Sequence, residues 1–123
     1  MTLRFRFPRS RRIRSGGDFR RIFRRRCSVG NRHLVLYVEA NEVGHPRLGV
    51  SVSKRLGNAV ARNRMKRRLR EAFRLRQHEL PAVDMVCVIK TRELSVADCA
   101  AHLSKLAARA SLRLTDTACN PRR

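Results

Sequence analysis

The chain has 123 residues and carries 30 Lys plus Arg against nine Asp plus Glu, a formal net charge of +21. A chain of this length builds one domain around a single modest core, so no second domain is needed. The charge far exceeds what keeps an ordinary domain in solution, and it favours a polyanionic partner. The basic N-terminus lacks the unbroken apolar stretch of a secretory signal, and no segment is predicted to span a membrane.

A first helix is expected after Ser15, whose side chain can cap it with Asp18 at the third helical position. Phe19, Ile22 and Phe23 then share one side of that helix. The arginine-dense residues before Ser15 predict a flexible basic arm.

Two strand patterns follow the first helix. Residues 34–39 predict a strand, residues 41–46 a turn with Gly and Pro, and residues 47–53 an antiparallel partner strand, so a hairpin is the economical arrangement. The second strand alternates an apolar side with a small-residue side that can admit a ligand. Its apolar side consists of Leu48, Val50 and Val52, and its small side of Gly49, Ser51 and Ser53.

An arginine-rich helix is predicted from about residue 59 to residue 77, after the Gly57-Asn58 turn. Its apolar side consists of Met65, Leu69, Ala72 and Phe73, and its cationic side of Arg64, Arg67, Arg70 and Arg74. Arg62 is an exception, because its azimuth is close to that of Leu69. It stays solvated only if the first turn projects beyond the packed layer, at the edge of a cleft.

The last two elements complete the predicted order helix, strands, helix, strand, helix. Residues 84–90 form a near-continuous apolar run, typical of a central strand buried on both faces. Ser95 opens the final helix with Asp98 in capping position. The apolar side of that helix consists of Ala100, Leu103, Leu106, Ala107 and Ala110. We therefore expect an α+β fold, an α/β sandwich whose sheet is covered mainly on one face by helices.

The cysteines and the acidic residues do not indicate a metal site or a catalytic site on the protein. Cys27, Cys87, Cys99 and Cys119 form no CxxC pair, which favours a reduced, cytosolic setting. Cys99 and His102 have helical spacing, but no second pair with zinc-site spacing exists, so we expect no structural metal. The acidic residues are scattered and provide neither a carboxylate cluster nor an acid and base pair. The sequence therefore predicts a binding protein.

Residues 51–73, SVSKRLGNAVARNRMKRRLREAF, resemble the signature of the protein subunit of bacterial ribonuclease P, centred on Arg62, Asn63 and Arg64. The resemblance extends over roughly residues 13–110. It implies a fold like the second domain of ribosomal protein S5, with a left-handed strand-helix-strand (βαβ) crossover that carries the basic helix. Periodicity alone would have predicted the usual right-handed crossover.

The resemblance also implies a function. In that family the protein partners a large catalytic RNA, and the complex hydrolyses one phosphodiester bond of precursor tRNA to release the 5′ leader. The expected catalytic centre is on the RNA, the Mg2+ ions lie mainly with RNA, and the protein supplies no catalytic residue and holds no cofactor tightly. We expect a cytoplasmic protein with the catalytic RNA and precursor tRNA as partners, no membrane association and no obligate protein partner.

Two sets of residues match the binding positions of the family. The set implied to contact the catalytic RNA is Arg62, Asn63, Arg64, Lys66, Arg67 and Arg70. The set implied to contact the single-stranded leader is Phe19, Phe23, Val35, Tyr37, Ser51, Ser53 and Lys54. The expected division of the chain is a flexible basic arm over residues 1–14, one RNA-binding domain over 15–114 and a basic tail over 115–123.

Three alternatives compete with this interpretation. A general or ribosomal RNA-binding protein without a processing role would share the charge and the arginine-rich helix. A DNA-binding regulator would use that helix in a major groove, but the intervening strands make a helix-turn-helix a poor fit. A protein-only nuclease is the weakest, because it needs catalytic groups that the sequence does not provide.

Overall fold

Three helices and four strands make up the part of the chain that the computed structural model describes, residues 9–92 and 94–114. They are α1 (Gly16–Arg25), β1 (Ser28–Gly30), β2 (Leu34–Ala40), β3 (Arg47–Val52), α2 (Ala59–Arg76), β4 (Val83–Ile89) and α3 (Val96–Leu114). Short 3-10 turns lie at Arg9–Arg11, Lys54–Leu56 and Gln77–Glu79. The predicted element order is confirmed, with β1 as an additional short strand.

Side-chain caps fix where the helices begin. The Ser15 hydroxyl accepts a hydrogen bond from the backbone N–H of Asp18 at 3.0 Å, as predicted for α1. At α3 the pairing is reciprocal, because Ser95 Oγ accepts from the Asp98 N–H at 3.0 Å and Asp98 Oδ2 accepts from the Ser95 N–H at 3.3 Å. Asn58, predicted only as part of a turn, caps α2 through its side-chain oxygen. Each such cap stabilises its helix by about 0.5–2 kcal/mol.

The sheet has the order β1-β2-β4-β3. β2 pairs antiparallel with both β1 and β4, whereas β3 pairs parallel with β4. The predicted central position of the apolar strand is confirmed. The predicted hairpin between residues 34–39 and 47–53 is wrong, because β4 lies between those two strands. Five consecutive residues of β4, 83–87, are buried, and such a strand buries both faces and pairs both edges only when other strands flank it.

Helices cover the two faces of the sheet unequally. The larger apolar cluster lies between one face and the helices α2 and α3, and it contains Leu36, Met85, Leu69, Phe73 and Leu103, all fully buried. The smaller cluster lies under α1 and contains Ile13, Ile22 and Val86. Burial of each large apolar side chain contributes about 1.5–3 kcal/mol before the entropy of ordering is subtracted. The uneven cover leaves part of the α1 face open.

The described end of the N-terminal arm contacts the edge strand of the sheet. Arg12 forms a parallel bridge with Leu48, and the Ile13 N–H donates to the Leu48 carbonyl at 2.8 Å. Arg11 Nη1 donates to Gln77 Oε1 at 3.1 Å, which joins this segment to the turn after α2. Residues 1–8 of the expected arm and the expected tail over 115–123 lie outside the described residues.

The β3-α2-β4 unit is a parallel strand-helix-strand crossover between neighbouring strands. The left hand implied for it and the division of the chain at residues 14 and 114 stay predictions. Among the described residues, no helix combines the length and the apolar character that a membrane span requires.

Candidate RNA-binding surfaces

The basic helix α2 has a buried apolar side and exposes several of its arginines. Met65, Leu69, Ala72 and Phe73 are buried, as predicted. We call the residues of α2 that are predicted to contact the catalytic RNA the docking face: Arg62, Asn63, Arg64, Lys66, Arg67 and Arg70. Asn63, Arg64, Arg67 and Arg70 are exposed, and Lys66 is half-buried.

Arg62 is half-buried, and its position follows from the first turn of α2. Its Nε donates to the Gly57 carbonyl at 3.2 Å. Gly57 has a φ of 143°, and a Cβ there would lie 3.0 Å from the Ala61 Cβ, so a side chain at this position would be strained and crowded. The turn before α2 therefore orients the guanidinium of Arg62.

The arginines of α2 differ in whether a carboxylate neutralises them. Arg74, predicted on the cationic side, makes a double hydrogen bond to Glu71 at 2.9 and 2.5 Å, and this contact lowers the pKa of Glu71. Among the described residues, no ion pair includes any residue of the docking face. The ion pairs join Arg21 to Asp18, Glu39 and Asp84, Arg47 to Asp84, Arg74 to Glu71 and Arg76 to Glu79. Loss of hydration and, second, the charge of Arg12 lower the pKa of Arg70.

Aromatic side chains of α1 and β2 form one wall of a cleft on the opposite face of the sheet. The rings of Phe23 and Tyr37 meet edge to face with centroids 4.7 Å apart, and those of Phe19 and Phe23 lie 6.4 Å apart. Phe19 packs directly on Gly49 of β3, where a Cβ would lie 2.7 Å from Phe19 Cζ. The absence of a side chain at position 49 therefore lets α1 approach the sheet.

Beyond α1, the same face of the sheet stays partly open. Val35 and Ser51 both lie opposite Val88 in register, and all three are half-buried. Ser53 follows on the same side, and its Oγ accepts from the Arg55 N–H at 3.1 Å, so its hydroxyl proton remains available for another acceptor. Phe19, Phe23 and Tyr37 pack against one small cluster, and Val35 and Ser51 lie in register on the two sides of Val88. We call the predicted leader-binding set the aromatic cleft: Phe19, Phe23, Val35, Tyr37, Ser51, Ser53 and Lys54.

A buried carboxylate at the start of the central strand joins α1 to the same face of the sheet. Asp84 is 1% exposed, and its two oxygens accept from Arg47 at 2.7 and 2.7 Å, from Arg21 at 2.9 Å and from Asn41 at 2.9 Å. Burial alone would raise the pKa of Asp84, but the hydrogen bonds from Arg47, Asn41 and Arg21 outweigh it and lower that pKa. We call these four residues the Asp84 cluster. Because Arg21 also pairs with Glu39, the cluster joins α1 to the sheet.

Metal binding finds little support among the described side chains. No group of three or more His, Cys, Asp or Glu residues in the described part of the chain lies close enough to hold an ion. Cys99 is buried, burial raises the pKa of its thiol to about 11, and His102 Nδ1 lies 3.2 Å from the Asn31 side-chain nitrogen. Burial also raises the pKa of Cys87, which packs in the larger apolar cluster.

Comparisons with known proteins agree with this geometry. Residues 7–111 match the Ribonuclease P family, a span that includes the docking face and the aromatic cleft. The chain belongs to the ribonuclease P protein family. The ribonuclease P protein component of Staphylococcus haemolyticus is 44% identical over 79 residues, 64% of this chain and 69% of that protein.

Solved structures of ribonuclease P proteins share the fold. The Staphylococcus aureus RNase P protein superposes with a TM-score of 0.72 at 37% identity, over 81% of this chain and 94% of that one. The Thermotoga maritima RNase P protein, solved with 1-(4-fluorophenyl)-2-thiourea, gives a TM-score of 0.70 at 28% identity, over 79% of this chain and 97% of that one. The α+β fold expected from the sequence is therefore confirmed.

Proposed function

We propose that the protein docks on the catalytic RNA of ribonuclease P through α2 and holds the 5′ leader of precursor tRNA in the aromatic cleft. The observation that carries this proposal is the pairing of two surfaces on one small domain. One surface is a helix face of cations that no described carboxylate neutralises, and the other is the aromatic cleft with its small residues. A partner that contains both folded and single-stranded RNA would contact both surfaces.

The docking face suits the phosphates of folded RNA. Guanidinium groups make bidentate, charge-assisted contacts with phosphate oxygens, and each contact releases condensed counterions. On free α2, like charges three and four positions apart, such as Arg64 with Arg67 and Lys66 with Arg70, repel one another. Bound phosphates remove this repulsion, so the free energy of docking includes relief of strain that the unbound protein carries.

The aromatic cleft suits a single strand. Base stacking on an aromatic side chain contributes about 1–3 kcal/mol per base and tolerates any sequence. Phe19, Phe23 and Tyr37 also pack on the sheet, so the same rings stabilise the fold and present partial faces to the cleft. The hydroxyl of Ser53 and the exposed amine of Lys54 lie at the end of β3, where they can contact the phosphates of the strand.

The chemistry in this proposal belongs to the RNA. The Mg2+ ions of the complex would activate water and stabilise the leaving oxygen, held mainly by RNA phosphates. The carboxylates of the protein support this division, because both oxygens of Asp84 are engaged by hydrogen-bond donors and Glu71 is paired with Arg74. A cytoplasmic location is part of the proposal and agrees with the buried free thiols of Cys27, Cys87 and Cys99.

Multiple-turnover cleavage of a 5′-extended precursor tRNA tests the central claim. A bacterial ribonuclease P RNA at low Mg2+ is assayed alone, with the protein, and with a variant in which Arg62, Asn63 and Arg64 are alanine. We expect the protein to accelerate release of the mature 5′ end and the triple variant to lose most of that effect. If the folded protein binds the RNA without any acceleration, it is a general RNA-binding protein.

The leader assignment has a separate test in the open part of the cleft. Ser51→Leu places a large side chain beside Val88 without touching the docking face. We expect the assembled complex to lose affinity for precursor tRNA and to keep its affinity for mature tRNA, because only the precursor has a strand in the cleft. Equal loss for both RNAs would mean that the cleft does not bind the leader.

A further inference from the structure

The flank of α2 next to the β4-α3 connection contains a second basic site. A pocket of about 210 Å³ is lined there by Ala61, Arg64, Met65, Arg68 and Arg92. We call it the arginine pocket. Arg68 and Arg92 belong to neither of the two predicted contact sets.

The arginine pocket is separate from the cleft side of α2. Lys66 and Arg70 line a different pocket, against Phe19 and Gly49. Residues two positions apart lie about 200° apart around a helix, so Arg64 and Lys66 point to different flanks. The helix therefore has a cationic site on each flank, with the exposed Arg67 between them.

The three arginines of the pocket have no carboxylate partner among the described residues. None of Arg64, Arg68 and Arg92 makes an ion pair within the described part of the chain. The described residues of the lining include no acidic and no aromatic side chain. Three guanidinium groups around a concave surface repel one another unless an anion lies between them, and the lack of an aromatic face disfavours a stacked base.

Thr91 and Leu94, which lie on the two sides of Arg92, contact other elements of the fold. Thr91 Oγ1 lies 3.0 Å from His33 Nδ1, which ties the end of β4 to the start of β2. Arg68 Nη1 donates to the Leu94 carbonyl at 3.3 Å, which ties the connection to α2. Arg92 lies between these anchors with an exposed side chain. A site held this way loses little entropy when it binds a ligand.

We propose that the arginine pocket binds one phosphate of folded RNA, with Arg92 as a docking residue outside α2. The inference rests on the proposed function and extends the RNA-binding surface onto the β4-α3 connection. Bidentate guanidinium contacts recognise the phosphate, and Arg68 shares its guanidinium between the Leu94 carbonyl and this ligand. The phosphate belongs either to the catalytic RNA or to precursor tRNA.

A double-mutant cycle tests the shared phosphate. Arg92→Ala, Arg64→Ala and the double variant are compared with Arg109→Ala, which removes the same charge from an exposed position on α3. We expect Arg92→Ala to weaken RNA binding roughly tenfold or more, and Arg109→Ala to weaken it far less. Because Arg64 and Arg92 hold one phosphate, the loss in the double variant should be smaller than the product of the single losses.

Two binding arms identify the source of the phosphate. One arm titrates protein into a bacterial ribonuclease P RNA alone, and the other titrates precursor tRNA into the complex assembled at saturating protein. Coupled loss in the first arm assigns the phosphate to the catalytic RNA, and coupled loss in the second assigns it to precursor tRNA. Arg92→Lys should restore the salt dependence but only part of the affinity, because it keeps the charge and loses the bidentate contact.

The inference fails if Arg92→Ala matches Arg109→Ala in both arms, or if the losses at positions 64 and 92 simply multiply. These results are distinct from failure of the proposed function. That function fails when the unmodified protein does not accelerate cleavage, whereas the arginine pocket is judged by binding alone. Circular dichroism of each variant confirms that the compared proteins are folded.

Discussion

Arginines lie in two contrasting environments of this molecule. In the Asp84 cluster, Arg21 and Arg47 contact a carboxylate that is 1% exposed. Their guanidinium groups donate hydrogen bonds to both of its oxygens. On the docking face, Arg64 and Arg67 are exposed, and no described carboxylate pairs with them. Whether an arginine is structural therefore depends on the position of the few acidic residues. Arginines next to a carboxylate stabilise the fold, and arginines without one are available to bind RNA.

The largest effect is expected in the Asp84 cluster. Asp84→Ala removes the acceptor for three donors and leaves Arg47 half-buried without its partner, which should lower the free energy of unfolding by about 3–5 kcal/mol. Urea denaturation measures it. The matched control is Glu79→Gln, which breaks the exposed pair with Arg76 and should cost only about 0–1 kcal/mol. Similar losses in both variants would remove the distinction between the two environments.

The docking face should show the reverse pattern. Replacing Arg67 and Arg70 with alanine should weaken binding to a ribonuclease P RNA by about 10–100-fold. The slope of the logarithm of the binding constant against the logarithm of the salt concentration should become less negative by about 0.7–0.9 for each charge removed. Stability should hold within about 0.5 kcal/mol, because both side chains are exposed and no ion pair is broken. Filter binding across a salt series and urea denaturation measure the two quantities. A large loss of stability would show that these arginines are structural.

Acid should weaken the Asp84 cluster selectively. The folded-state pKa of Asp84 is lowered, so its contribution to stability is fully present above its unfolded pKa of about 3.9 and is lost as the pH falls through the folded value. Unfolding free energies measured between pH 6 and pH 3 should therefore fall less in Asp84→Asn than in the unmodified protein. Parallel curves for the two proteins would mean that the carboxylate is not held ionised by its partners.

Local patterns in the sequence predicted the elements better than their arrangement. The caps at Ser15 and Ser95 and the apolar side of α2 depend on neighbours in the chain, and all are confirmed. The strand neighbours depend on competition among distant segments. The hairpin prediction is wrong because it rests on the proximity of β2 and β3 in the chain. The apolar strand β4 pairs on both edges and therefore lies between them.

The candidate sites divide in the same way. The contact residues on α2 and in the aromatic cleft follow from a family resemblance, and their roles stay predictions. The structure packs Phe19, Phe23 and Tyr37 together, whereas Arg64 and Lys66 lie on different flanks of α2. The role of Asp84 was missed, because its partners Arg21 and Arg47 lie 63 and 37 residues away. A buried carboxylate in an apolar strand needs cationic partners, and this requirement was the available signal. Arg92 offered no such signal, since an exposed arginine in a connection resembles many others in this chain.

The central position of β4 also sets an order of events during synthesis. β2 and β3 both pair with β4, so these two strands cannot join one sheet until residues 83–89 have emerged from the ribosome. The parallel pairing of β3 with β4 must further wait for the whole of α2 to be made, and such non-local pairings form slowly. The arginine-rich segment is therefore translated before the sheet on which it packs. Until β4 is complete, the arginines of the nascent chain are accessible to any nearby polyanion.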